Sequence, residues 1–135
     1  MGNPEIALPA YAGTIGVELD RWDGIRPVLA VDYSNDICGN PGMFHGGAIG
    51  GLLEMAAVAT LEADLSVRQQ SGRLKPVNST VEYLRPAGEQ RAFASATIIR
   101  VGRRFANLQA TLWQESPDKP VATSLVNILI APGEK

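Results

Sequence analysis

The amino-acid sequence predicts an α+β fold in which an antiparallel sheet of five to six strands wraps around one long central helix. Three observations predict it. One proline-free segment, Gly46 to about Val67, repeats its apolar residues at helical spacing. Two runs of strand length precede it, and four more follow, rich in β-branched and aromatic residues. The last four are joined tightly enough to be antiparallel. A single helix cannot cover both faces of a six-stranded sheet, so the sheet has to curl around it. Strand edges and faces left uncovered then predict an oligomer.

The elements follow in order. Residues 1–15 carry prolines and glycines without periodicity and read as an arm or short helix. VELDRW (Val17–Trp22) and RPVLAVDY (Arg26–Tyr33) read as strands with a turn at Asp23-Gly24. SNDICGNPG is a loop, the long helix follows, and QQSGRLKP closes it with a glycine and then a proline. PVNSTVEYL, RAFASATIIRV, RFANLQATLWQE and PVATSLVNILI supply four strands, with PAGEQ, GR and SPDK as the hairpin turns. Residues 1–135 are expected to form one domain, since the chain is too short for two ordinary ones.

Composition narrows the function classes. The formal net charge is −2 and the sequence pI about 5.3, which gives no electrostatic footprint for nucleic acid or an anionic membrane. No run approaches the roughly 20 apolar residues of a membrane span, and the start lacks a signal-peptide pattern. One cysteine cannot form an internal disulfide. A cytoplasmic protein is the expectation.

The chemistry concentrates in NPGMFHGGAIGGLLEMAA, Asn40 to Ala57. At 100° per residue, the neighbours of Glu54 on its own helix face are Gly47, Gly50, Gly51, Val58, Leu61 and Leu65, none of them polar. A carboxylate sheltered there would be raised in pKa toward a useful base. The first N–H groups of the same helix have no intrahelical acceptor and carry the positive end of its dipole. Gly46 and Gly47 would let a carbonyl come close to them. Each glycine inside a helix costs about 1 kcal/mol relative to alanine, so either substrate approach or close packing has to explain them.

HGGAIGGLLE resembles the HGG signature of hotdog-fold acyl-CoA thioesterases, particularly the phenylacetate-pathway type: His-Gly-Gly opens the central helix and an acidic residue stands nine after the histidine, as Glu54 stands nine after His45. VEYLRPAG, VGRR and the strand order extend the resemblance over roughly Val17 to Ile130. It implies that the Gly46 N–H polarises the thioester carbonyl, beside Gly47. Glu54 then acts as nucleophile or general base, usually across a subunit interface. His45 shapes the helix start and helps hold the acyl group. It also implies that Arg85, Arg103 and Arg104 contact the CoA phosphates, and that the protein is a homodimer or homotetramer. An acyl-CoA substrate is implied as well, with no metal or redox cofactor required. Two positions depart from the pattern. Gly39 stands where the family often has Asn or Gln, with Asn40 one residue closer, and Val58 replaces a threonine one turn after the glutamate. Asn40, or one of Asn78 and Ser79 on the next strand, is therefore the candidate for holding the attacking water. Asn78 and Ser79 point to opposite faces, so at most one of them qualifies.

Rival constellations are weaker. Cys38 has no neighbouring cation to make a thiolate for a dyad with His45, and no G-x-S-x-G is present. One histidine and one cysteine make no transition-metal site, and GGAIGG lacks the Lys-Ser/Thr of a phosphate loop. Trp22 and Trp113 read as core or interface aromatics. Two other functions fit the fold: a non-catalytic acyl-CoA-binding module, and an enoyl-thioester hydratase or dehydratase, whose usual HFP-type loop is absent here.

Overall fold

The long helix runs from Gly46 to Val67, the span its periodicity predicts, in a computed structural model that describes residues 3–4 and 6–132. Chain order gives α1 (Ala10–Ile15), β1 (Glu18–Asp23), β2 (Arg26–Val31), α2 (Gly46–Val67), β3 (Arg73–Tyr83), β4 (Ala92–Val101), β5 (Phe105–Trp113) and β6 (Ala122–Ala131). A short 3₁₀ turn, Asn35–Ile37, sits in the loop before α2. The six strands form one antiparallel sheet in the order β1-β2-β4-β5-β6-β3. PAGEQ is therefore not the hairpin turn expected of it: β3 pairs with β6 and β4 with β2 and β5, so the segment crosses the sheet to carry the chain from one edge to the middle. Helix α2 packs against β2, β3, β4, β5 and β6.

Helix α2 is apolar nearly all round because the sheet takes most of its surface. Leu52, Leu53, Ala56, Ala57 and Leu61 are almost fully buried, against Ala94, Leu108, Ala110, Leu112, Val126 and Ile128 of the strands in one core. Each buried leucine contributes about 1.5–3 kcal/mol relative to exposure. On the outer face Phe93 stacks on the buried Trp113 with ring centroids 6.0 Å apart, and the Arg21 and Arg91 guanidinium groups lie over Phe93. Arg91 also pairs with Glu18, Asp20 and Asp32, and its hydrogen bond holds the Asp20 carboxyl below the usual carboxylate range.

The chain leaves α2 differently from expectation. The helix ends before the glycine of QQSGRLKP, and Gln69 takes the left-handed backbone at φ 58°. The Gln69 and Gln70 N–H groups donate to the Ser66 and Leu65 carbonyls, a Schellman closure without glycine. A side chain in that region costs about 1–2 kcal/mol, most of which glycine avoids. Gln69→Gly is expected to raise unfolding stability by about 0.5–1 kcal/mol, after its extra backbone entropy is subtracted. Urea titration checks this; an unmoved midpoint would mean that the residue carries no strain.

Strand β3 begins at Arg73, ahead of its predicted start, and runs straight through Pro76. Proline survives there because β3 is an edge strand and its register shifts between Pro76 and Asn78. Most of β3 is exposed, with Val77 47% and Tyr83 56% accessible. At the other edge, the β1–β2 hairpin turns through Gly24-Ile25, with Gly24 at φ 63°. Among the described residues no helix is long and apolar enough to cross a membrane.

Candidate active site

The head of α2 is held from the loop before it. Asn40-Pro41-Gly42-Met43 form a tight turn closed by the Met43 N–H on the Asn40 carbonyl, with Gly42 at φ 79°. Behind the turn, Cys38 bridges to Phe44, and Gly39 packs so closely that a Cβ there would stand 3.1 Å from the His45 Cα. The Phe44 and His45 N–H groups then donate to the Ala87 and Ile37 carbonyls. His45 is the N-cap: its Nδ1 accepts the Gly47 N–H at 2.9 Å, which leaves its proton on Nε2 in the neutral ring. The His45 carbonyl takes the N–H groups of Ala48 and Ile49.

One donor at the helix head remains. The Gly46 N–H meets no acceptor among the described residues, while those of Gly47, Ala48 and Ile49 are committed. The Gly46 carbonyl accepts the Tyr83 hydroxyl at 2.9 Å, so the first residue of the helix is gripped from β3. A Cβ on Gly46 would stand 3.4 Å from that hydroxyl, and one on Gly51 3.2 Å from the Tyr11 ring of α1. At Gly51 the alternative of close packing is thus realised, by an aromatic ring.

Glu54 lies eight residues beyond Gly46 on the helix, about 12 Å along the axis. It is half-buried and makes no hydrogen bond or ion pair among the described residues. It lines a cleft of about 490 Å³ between α2, the start of β3 and the N-terminal arm, beside Met55, Val58, Leu74 and Pro76. One chain therefore keeps the free amide and the free carboxylate too far apart to touch the same carbonyl.

The other candidates are dispersed. Asn40 is exposed at the start of its turn. Ser79 pairs with Val126 on the helix-facing side of β3, in the row of Val81 and Tyr83. Asn78 lies on the outer face, where its Oδ1 accepts the Asn127 Nδ2 at 2.6 Å, and Asn127 in turn accepts Asn107. Arg85 follows β3 at the end of the sheet that holds the helix head, and Arg103 and Arg104 turn between β4 and β5 at the opposite end. Seven residues of β6, from the partner of Tyr83 to that of Phe105, separate these ends by about 24 Å. Cys38 accepts the Tyr33 hydroxyl at 2.9 Å, which raises the Tyr33 pKa. Among the described residues no three His, Cys, Asp or Glu side chains are grouped to hold a metal. Tyr83 is the contact that sequence reasoning missed: alternation in VEYL orients it toward the helix, but nothing local names Gly46 as its partner.

The family model described as acyl-CoA thioesterase N-terminal domain matches residues 36–129, from the loop before the helix to the last strand. The chain belongs to this acyl-CoA thioesterase family. A relative named medium/long-chain acyl-CoA thioesterase YigI, from Escherichia coli K12, is 28% identical over 113 residues, covering 75% of this chain and 73% of that protein. Solved structures show the same hotdog fold. The Escherichia coli PaaI protein from the phenylacetic acid degradation operon superposes with TM-score 0.78 at 17% identity, covering 93% of this chain and 86% of its own. Thioesterase HI1161 from Haemophilus influenzae gives 0.79 at 18%, covering 90% and 82%.

Proposed function

We propose that this chain is an acyl-CoA thioesterase of the HGG type that hydrolyses medium- to long-chain acyl-CoA, using the Gly46 N–H of one copy and Glu54 of a second. The observation that carries it is the pair of uncommitted groups on α2, one donor at its head and one carboxylate about 12 Å further on. Two such helices running antiparallel past one another would set each amide beside the other's carboxylate. The exposed β3 edge, next to Glu54's cleft, is the surface for that pairing, so a homodimer, or a tetramer built of such dimers, completes the site.

In this reading the thioester oxygen accepts the Gly46 N–H, at the positive end of the helix dipole. Glu54 takes a proton from water as the water oxygen bonds to the carbonyl carbon. The tetrahedral oxyanion then collapses, the C–S bond breaks, and the proton passes from Glu54 to the departing thiolate, giving carboxylic acid and CoA. Ser79, on the helix-facing side of β3, is better placed than Asn78 to steady the water, and Asn40 would have to reach in from its turn. Arg85 of one chain and Arg103 and Arg104 of the other would meet the CoA phosphates from different copies, since they lie at opposite ends of the sheet. The substrate class rests on the name of the 28% identical relative and on the apolar cleft.

The test is thiol release from CoA esters of short, medium, long and aromatic acyl groups, run beside hydration of an enoyl-CoA. Hydrolysis that peaks on medium or long chains is expected. Tight binding without turnover would favour a binding module instead, and water addition without thiol release a hydratase.

A further inference from the structure

Along the helix, Glu54's cleft adjoins a second cavity. The second holds about 560 Å³ and runs past Leu65, near the far end of α2, to Gln69 in the turn beyond it. Ala7, Glu62, Gly72 and Leu74 line both. At that shared wall the Ala7 N–H donates to Glu62 Oε1 at 2.7 Å, tying the N-terminal arm across the groove to the helix. The bond joins segments 55 residues apart and is charge-assisted, so it is a clasp between two elements and not a local turn.

We infer that the Ala7–Glu62 clasp is the acyl-chain ruler of this protein: it closes the cleft beside Glu54 and limits the chain length accepted. The inference rests on the thioesterase reading above, which puts the reacting carbonyl by Glu54, and adds that the acyl tail follows the cleft along α2 toward Glu62. From Glu54 to Glu62 the helix advances about 12 Å. An extended alkyl chain built on ~1.5 Å bonds advances about 1.3 Å per carbon, so the first compartment takes about nine carbons. A longer tail must lift the arm off Glu62 to reach the second cavity. Glu62 is a specificity-determining residue here and touches no reacting atom.

Two variants open the clasp from opposite sides. Glu62→Ala removes the acceptor, and Ala7→Pro removes the donor without touching the helix. Both are expected to raise the ratio of kcat/KM for palmitoyl-CoA over octanoyl-CoA at least about tenfold, as the extra methylenes gain a wall without first displacing the arm. Glu62→Gln keeps an oxygen for the Ala7 N–H and should hold the wild-type ratio within about twofold. An unchanged ratio in both Glu62→Ala and Ala7→Pro overturns the ruler. Should the wild type cleave no acyl-CoA, the thioesterase reading fails by itself. Calorimetric binding of the S-octyl and S-hexadecyl thioethers of CoA then decides the clasp: a matching shift in the ratio of Kd values in both variants supports it, and a constant ratio overturns it.

Discussion

Glu54→Gln is expected to lower kcat toward the preferred acyl-CoA by about 10³-fold, with KM and the thermal midpoint nearly unchanged. The change preserves shape and hydrogen bonding but removes the base. Because Glu54 is half-buried and unpaired among the described residues, nothing in the fold depends on its charge. Loss of a proton acceptor used in the transition state falls on kcat, while ground-state binding survives. A variant whose kcat stays within about threefold of wild type would remove Glu54 from the chemistry, since general bases contribute far more.

The second large effect concerns an amide, which no ordinary side-chain substitution reaches. Gly46 is the first residue of α2, the helical position most tolerant of proline, and His45 already has the extended backbone that must precede one, at φ −67° and ψ 136°. Gly46→Pro therefore deletes the one N–H at the helix head that is uncommitted among the described residues, and leaves the helix in place. A loss of about 10²–10³ in kcat is expected, the usual effect of removing one oxyanion donor. Gly46→Ala keeps the N–H and, with its Cβ 3.4 Å from the Tyr83 hydroxyl, should retain most activity. The two damaged proteins can also be combined. If each site draws on two copies, unfolding and refolding an equal mixture of Glu54→Gln and Gly46→Pro restores roughly a quarter of wild-type activity, because half of the dimers are mixed and each has one intact site of two. If one copy supplies both groups, mixing restores nothing.

Much of the fold was legible from the residues. The limits of α2 followed from an apolar period uninterrupted by proline, and the β1–β2, β4–β5 and β5–β6 hairpins from turn chemistry between runs of β-branched residues. PAGEQ has the same turn chemistry and is no hairpin, because β3 finds its partner in β6 and local sequence does not say which strand a turn returns to. Two further local rules misled. Pro76 looked like the start of a strand because proline interrupts ladders, but at an edge with a register shift it interrupts nothing of consequence. Gly72 looked like the helix stop, and Gln69 took the left-handed position instead, because two backbone bonds to Ser66 and Leu65 hold it there. At the candidate site, spacing from His45 to Glu54 could be read directly. Contacts between segments far apart in the chain could not: Tyr83 on Gly46, Tyr11 on Gly51 and Ala7 on Glu62 are set by strand order and arm path. Likewise, only the sheet order reveals that Arg85 and Arg103 sit at opposite ends.

The glycines of the helix head have a bearing on how the protein is made. A run containing Gly46, Gly47, Gly50 and Gly51 is a poor helix on its own, and the sequence from Leu52 onward is a good one. A newly synthesised chain would coil the far end of this segment first and leave its business end frayed. Tyr83 belongs to a strand completed later in synthesis, and until that phenol arrives the first turn lacks its brace. On the mechanism proposed above, the amide that grips the carbonyl would therefore be set only as β3 docks on β6, and an unfinished chain would lack it.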